Sequence, residues 1–340
     1  MTIRRVFLLL ASIALAIILV ALLIRVGKID LRLTLVQLES VSPVAFMKLV
    51  LLNGLLVYLS TAKWRSIDDV LRRPSDSIPS KTTSFGITSA GMALGLVLPV
   101  QVGMAAARTL GTYVHGRPIK RGTAGTLFEQ SFDLLMVSFL AAASGATWFY
   151  SGGAVMWMAC AAAMTILALS AVGPLTGLIR WAGATYSART AAPDNRILRA
   201  VWELQHSNLL NAALARRLVM LSALRFCVVV LMAAQTADAI HAPIPLWHMA
   251  AAVPFVFIAT IVAVTPGGIG VNELTSTTGL KLFGTPLATA AQWSLANRFL
   301  VTASCFAVAI CASIMWAVEK MKTSSTGDAG KGNEAEGEVG

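Results

Sequence analysis

Long apolar runs separated by short polar segments organise the chain from end to end. Val6 to Ile24 carries no charge, and runs near 44–62, 124–147, 154–179, 218–238 and 287–318 are likewise predominantly apolar. A helix rises about 1.5 Å per residue, so roughly 20 residues cross the hydrocarbon core of a bilayer. All six runs are expected to be membrane-spanning helices. Two other apolar stretches are interrupted, 83–110 at Pro99-Val-Gln-Val-Gly103 and 249–284 at Pro266-Gly-Gly-Ile-Gly270. Proline removes a backbone donor and clashes with the preceding turn, and glycine tolerates irregular backbone. Each stretch is expected to fold as a re-entrant broken-helix hairpin. Residues 29–39 alternate apolar and polar side chains (Ile29, Leu31, Leu33, Leu35), which suits a short periplasmic strand or helix in the interface. The expected fold is all-α: a polytopic helical membrane protein of about six spans plus two re-entrant hairpins.

Both breaks read Pro-x-x-x-Gly. Opposed broken helices that meet near the midplane characterise inverted-repeat transporters, and two independent helix kinks are the plainer alternative. The first apolar run exceeds the about 7–15 residues of a signal peptide core. It is followed by Arg25, Val26 and Gly27 rather than by a small-residue cleavage site. A retained first helix is expected.

Composition narrows the class. Of 340 residues, 56% are hydrophobic and 13% charged, with a mean hydropathy of +0.73. Soluble domains carry about 25% charged residues. An ordinary soluble enzyme, a disordered chain and a secreted disulfide scaffold are thereby excluded. Residues 1–320 are expected to form one membrane domain, and 321–340, acidic and Gly-rich, a disordered cytoplasmic tail. Cys160, Cys227, Cys305 and Cys311 lie in apolar stretches without CxxC spacing and are expected as small core residues.

The net charge of +11 raises nucleic acid as a partner. In a membrane protein, Lys and Arg instead gather in cytoplasmic loops, so no nucleic-acid partner is expected. With both interrupted stretches leaving on the side they entered, nineteen of the 27 Lys and Arg fall in cytoplasmic segments, Lys63 among them, and four fall outside. Were 83–110 to cross fully, nine cations of the following loops would move outside, against the positive-inside rule. The expected location is a bacterial inner membrane, with both termini cytoplasmic. Trp64, Trp148, Tyr150, Trp181 and Trp316 sit at or near run ends, where amphipathic rings favour the headgroup layer.

Lys48, Arg108, Arg225 and Arg298 lie within apolar stretches, as do Glu129 and Asp133. The two acids are four residues apart and share a helix face. A charge at the bilayer centre costs roughly 2.5–3.5 kcal/mol on insertion scales, so each acid should have a partner. Matching depths pairs Asp133 with Arg298 and Glu129 with Arg225. Such pairs serve either a polar transport site or fixed helix–helix bridges. The string Thr265-Pro-Gly-Gly-Ile-Gly-Val-Asn-Glu273 should end one half-helix and begin another. The new N-terminus is suited to an anion such as a phosphate headgroup. Glu273 capping its own helix, or glycines allowing close packing, are the alternatives.

These strings together resemble the transmembrane region of lysylphosphatidylglycerol synthases, a flippase-like family that also occurs as stand-alone membrane proteins. The resemblance spans roughly residues 6–318. It is carried by Leu98-Pro99-Val-Gln-Val-Gly103 with Arg108, by Glu129-Gln-Ser-Phe-Asp133, and most strongly by Pro266-Gly-Gly-Ile-Gly-Val-Asn-Glu273 with Arg298. It implies a polytopic protein linked to moving a lipid between leaflets. The chain departs from the family pattern at Val100 (usually Gly) and Met104 (usually an acid), and Gln130 and Asn272 stand where Arg is frequent. Arg108 also sits one residue later than the usual arginine. The first hairpin has thus lost part of its expected polar lining. No aminoacyl-transferase domain follows residue 318, so synthesis of the aminoacylated lipid is not implied.

HExxH, GxSxG, P-loop and GxGxxG motifs are absent, and the four histidines lack metal-ligand spacing. His241 and His248 flank a Pro-rich turn and are expected at the interface. Asp68-Asp69 before Arg72-Arg73 reads as a solvated loop. No catalytic residue, metal or cofactor is expected. The expected substrate-binding residues are Arg108, Glu129, Asp133, Arg225, Pro266, Gly267, Gly268, Gly270, Asn272, Glu273 and Arg298. The reading they support is a lipid translocase for a lipid with an anionic or aminoacylated headgroup. An intramembrane lipid-modifying enzyme and a non-transporting accessory subunit are the alternatives. Membrane lipids, a lipid-synthesis enzyme and a second copy of the chain are the partners this reading implies.

Overall fold

The computed structural model describes residues 3–27, 29, 31–71, 79–115, 119–187, 211–263 and 265–335. These residues form eleven α-helices and no strand. In chain order they are α1 (Ile3–Gly27), α2 (Leu31–Glu39), α3 (Pro43–Leu71), α4 (Lys81–Val97), α5 (Val100–Val114), α6 (Ile119–Phe149), α7 (Ala154–Ser187), α8 (Ala212–Ala239), α9 (Leu246–Val262), α10 (Val271–Leu282) and α11 (Leu287–Ala335). A short 3-10 turn, Pro266–Gly268, lies between α9 and α10. Five helices contain apolar segments long enough to cross a membrane: Pro43–Leu71, Gly125–Phe149, Ala154–Leu178, Ala212–Ala239 and Leu287–Glu319. Ala14–Gly27 of α1 is a shorter apolar segment.

Several boundaries differ from the sequence reading. α2 is a helix, which resolves the strand-or-helix alternative at 29–39. α3 continues past 62 to Leu71, so Lys63, Trp64 and Asp68-Asp69 belong to a helix rather than to a loop. Nothing there stops it, since Pro74 is the first proline after Pro43. α8 starts at Ala212, where the Asn211 side chain accepts a hydrogen bond from the Ala213 N–H and satisfies an orphan donor. α11 is helical to Ala335, well into the segment read as a disordered tail, although its apolar part ends at Glu319. No proline interrupts that extension, and a helix once nucleated adds one hydrogen bond per residue.

The buried core lies between the helices. Leu49, Val228, Met232, Leu280 and Trp293 join α3, α8, α10 and α11. Met136, Leu140, Trp157, Val219 and Phe226 join α6, α7 and α8. Large apolar side chains also cover the outer surface, among them Ile17, Leu51, Phe149, Val155 and Ile310. A surface of this kind suits lipid rather than water. Trp148, Tyr150, Trp181 and Trp316 are exposed as expected of interfacial rings, whereas Trp64 is buried. Of the cysteines only Cys305 is buried; Cys227 and Cys311 face outward. His241 is exposed, but His248 is buried with Nδ1 2.8 Å from Thr285 Oγ1.

The order of elements repeats. A long helix, a two-armed hairpin and a second long helix occur as α3, α4–α5, α6 and again as α8, α9–α10, α11. Contacts are exchanged between these halves. α3 packs on α8, the first arm α4 packs on α11, and the first arm α9 packs on α6.

Both hairpins turn where the sequence breaks. Leu98, before Pro99, is extended (φ −101°, ψ 166°), as a residue before proline is steered to be. The arms α4 and α5 then pack backbone to backbone, because a Cβ on Gly103 would lie 2.4 Å from the Gly95 nitrogen. Gly103→Ala is therefore expected to destabilise the protein by about 1–3 kcal/mol through overpacking. Thermal unfolding in detergent checks this; an unchanged midpoint would show that the arms can separate freely.

Candidate functional site

Two polar clusters are built inside the bundle. The first unites four helices. α6 supplies Glu129 and Asp133, which indeed share a face. α3 supplies Lys63, α5 Arg108 and α8 Arg225. Lys63 Nζ lies 2.5 Å from Asp133 Oδ1 and 4.0 Å from Glu129 Oε1, with no exposed side-chain surface. Arg108, 1% exposed, pairs with Glu129 through Nη1 and, at 3.4 Å, Nη2. Arg108 Nη2 also donates to the Ser60 carbonyl at 3.3 Å, and its guanidinium carbon sits 5.4 Å from the Trp64 ring centre. Arg225 closes the network on Asp133 Oδ2. Arg108 Nε, Arg225 Nε and Ser60 Oγ are buried without a hydrogen-bond partner among the described residues.

The second cluster surrounds the second break, where Gly267, Gly268 and Gly270 have positive φ (57°, 69° and 82°). Such backbone is cheap only for glycine. Here the two hairpin breaks touch: the Gly267 N–H donates to the Leu98 carbonyl at 3.0 Å. The Gly267 carbonyl accepts from Arg298 Nη1 at 2.9 Å, and Arg298 Nε lies 3.6 Å from Glu273 Oε1. Glu273 Oε2 in turn accepts from the Gly270 N–H at 2.6 Å. Glu273 thus caps its own helix, as one alternative had it, and pairs with Arg298 as well. Asn272 Oδ1 accepts from Thr260 Oγ1 at 2.7 Å. Pro266 opens the 3-10 turn, and Gly268 packs against the Asn272 amide.

A cavity of about 210 Å³ adjoins this cluster. Asn272, Glu273, Ser276, Ser294, Asn297 and Arg298 give it polar groups, and Leu56, Leu96, Val229, Met232, Val253 and Phe257 give it apolar wall. Ser276 and Ser294 hydroxyls are 2.7 Å apart, and buried Asn297 Oδ1 has no hydrogen-bond partner among the described residues.

The ion pairs inferred from depth are not those formed. Asp133 pairs with Arg225 and Lys63 rather than with Arg298, and Glu129 pairs with Arg108 rather than with Arg225. Depth along a helix carries no lateral information, and Arg298 lies across from α10, within reach of Glu273. The eleven candidate residues therefore fall into two groups. Arg108, Glu129, Asp133 and Arg225 share the first cluster. Pro266, Gly267, Gly268, Gly270, Asn272, Glu273 and Arg298 share the second. The sequence places Lys63, which joins both acids of the first network, in a cytoplasmic segment, and the structure places it inside the bundle. Its helical spacing from Asn53, Val57, Ser60 and Ile67, all buried, is the signal that marks it as inward-facing.

An all-α bundle with five long apolar helices, an apolar outer surface and charges paired inside is a polytopic membrane protein. Its family follows from comparison: the model for the lysylphosphatidylglycerol synthase TM region matches residues 9–309, and the chain belongs to that family. Comparison with curated proteins and with solved structures returned no match.

Proposed function

We propose that this protein is a lipid translocase that moves a lipid with an anionic or aminoacylated headgroup between the leaflets of a bacterial inner membrane. The observation that carries the reading is the cavity beside the touching hairpin breaks. It sets charged and hydroxyl groups against an apolar wall, as a headgroup attached to acyl chains requires. Both hairpins enter the membrane and leave on the same side, from opposite faces, with both termini cytoplasmic. The exchanged contacts of the two halves support this inverted arrangement. Arg298 and Asn297 meet the headgroup, and the chains remain in lipid. Arg108 and Arg225 form a second station for phosphate charge.

Transport is favoured over lipid chemistry because Glu129, Asp133 and Glu273 are all held by cations. A general base needs a carboxylate with a lone pair directed at substrate. Membrane lipids are the principal partners in this reading, with a lipid-synthesis enzyme or a second copy of the chain as protein partners.

Leaflet exchange of labelled lipids in proteoliposomes tests the proposal. Glutamine at the third helical position keeps a cap that the carboxylate provides. Glu273→Gln keeps that cap but loses the charge facing Arg298, and is expected to lower exchange at least about tenfold in protein that thermal unfolding shows to be folded. Folded wild-type protein that exchanges neither anionic nor aminoacylated lipids would overturn the transport reading in favour of an accessory role.

A further inference from the structure

The first cluster does not balance. Lys63, Arg108 and Arg225 face two carboxylates, Glu129 and Asp133, leaving one formal positive charge in excess inside the bundle. An uncompensated buried charge is costly, and a protein sheds it by losing or gaining a proton or by binding a counter-ion. The available proton moves are few. Arginine keeps its proton at any relevant pH. Protonating either carboxylate would increase the excess. Loss of the Lys63 proton is the one change within the cluster that brings it to neutrality.

The surroundings of Lys63 agree. It donates to two oxygens, Asp133 Oδ1 at 2.5 Å and the Glu129 carbonyl at 3.5 Å. A neutral amine has two N–H groups for two such acceptors, whereas an ammonium has three. From α6 it faces Glu129 and Asp133, and from α8 Arg225; Arg108 of α5 stands across Glu129. Among the described residues, the other helices against α3 add no ion pair to it. Lys81, the only charge on α4, is exposed at its first residue. On α11, Arg298 belongs to the second cluster, and Glu319 accepts from Ser80 Oγ at 3.0 Å.

The cluster also keeps donors in reserve. The Nε groups of Arg108 and Arg225 are buried and unpartnered among the described residues. An arriving phosphate oxyanion would satisfy them, and its charge would then permit Lys63 to hold a proton. We propose that Lys63 is the proton-exchanging group of this cluster, neutral when the site is empty and taking up one proton from water when a phosphate-bearing anion binds beside Arg108 and Arg225. The amine lone pair accepts the proton, and no other bond changes. This inference rests on the lipid reading above and adds proton uptake to it.

The test is a weakly buffered proton-uptake measurement near neutral pH on the full chain in neutral detergent. Phosphatidylglycerol, phosphatidylcholine and inorganic phosphate are added separately, with lipid binding measured in parallel by native mass spectrometry. Uptake approaching about one proton per chain is expected with phosphatidylglycerol. No uptake is expected with phosphatidylcholine, whose headgroup brings its own cation. Lys63→Arg, which cannot lose a proton, is expected to bind lipid without uptake, and Lys63→Met, whose balanced cluster a bound phosphate would make negative, to bind more weakly and also without uptake. Phosphatidylglycerol binding without uptake in wild type overturns the proton assignment and leaves the lipid reading standing. Uptake that persists in both variants overturns the assignment to Lys63. Uptake with inorganic phosphate alone and not with phosphatidylglycerol assigns the site to a free anion and overturns the lipid-linked form. Failure of every anionic lipid to bind overturns both readings.

Discussion

Asp133→Asn is expected to cost about 3–5 kcal/mol of stability, because removing one partner of a buried ion pair strands the other. Asp133 carries two such partners, Lys63 at 2.5 Å and Arg225, from helices α3 and α8. With Lys63 neutral in the empty site, an amide leaves Arg108 and Arg225 facing Glu129 alone. Adding Arg225→Met to Asp133→Asn removes the stranded cation and should recover a substantial part of the loss. Thermal unfolding of the single and double variants in detergent measures both effects as a double-mutant cycle. Equal midpoints for wild type and Asp133→Asn would mean that the network adds nothing to helix packing. A double variant no better than Asp133→Asn would mean that Arg225 is not the cation Asp133 holds.

The second large effect belongs to Gly267. Its φ of 57° costs a residue with a Cβ about 1–2 kcal/mol. That Cβ would also stand 2.4 Å from the Leu96 carbonyl oxygen and 2.7 Å from Arg298 Nη2. Backbone cannot yield as a long side chain can, so Gly267→Ala must push the two hairpin breaks apart. The Gly267–Leu98 hydrogen bond and the Arg298–Gly267 bond would be lost together. The expected result is loss of lipid exchange by at least about tenfold, with destabilisation of about 2–4 kcal/mol from combined strain and overpacking. Exchange and stability both at wild-type levels would show that contact between the breaks is dispensable.

Much of this arrangement can be read from residue order alone. Apolar run length marks the long helices, since burial in lipid leaves a uniform signal over some twenty residues. Pro99 and Pro266 mark both hairpin turns, and the Glu129–Asp133 spacing marks one polar face. What stays hidden is lateral. Arg298 and Arg225 are both arginines in apolar helices, and only the packing of α11 on α10 and of α8 on α6 decides which acid each one meets. Lys63 is hidden for a different reason. Lysine after an apolar run is the ordinary sign of a helix leaving the membrane, and the continuation of α3 to Leu71 overrides that sign. The cavity too is invisible in sequence, because Leu96, Val229 and Asn297 come from three helices far apart in the chain.

The exchanged contacts also limit how such a molecule can move. With α4 held on α11 and α9 held on α6, a hinge that swung one half away from the other would strip both hairpins from their supports at once. Each half is in effect a clasp for the other. In the translocase reading, access to the cavity from either face comes from shear, with hairpin arms sliding along partner helices they never leave. The close approach of Gly103 to Gly95 instead locks α4 and α5 together, so the first hairpin slides as one unit.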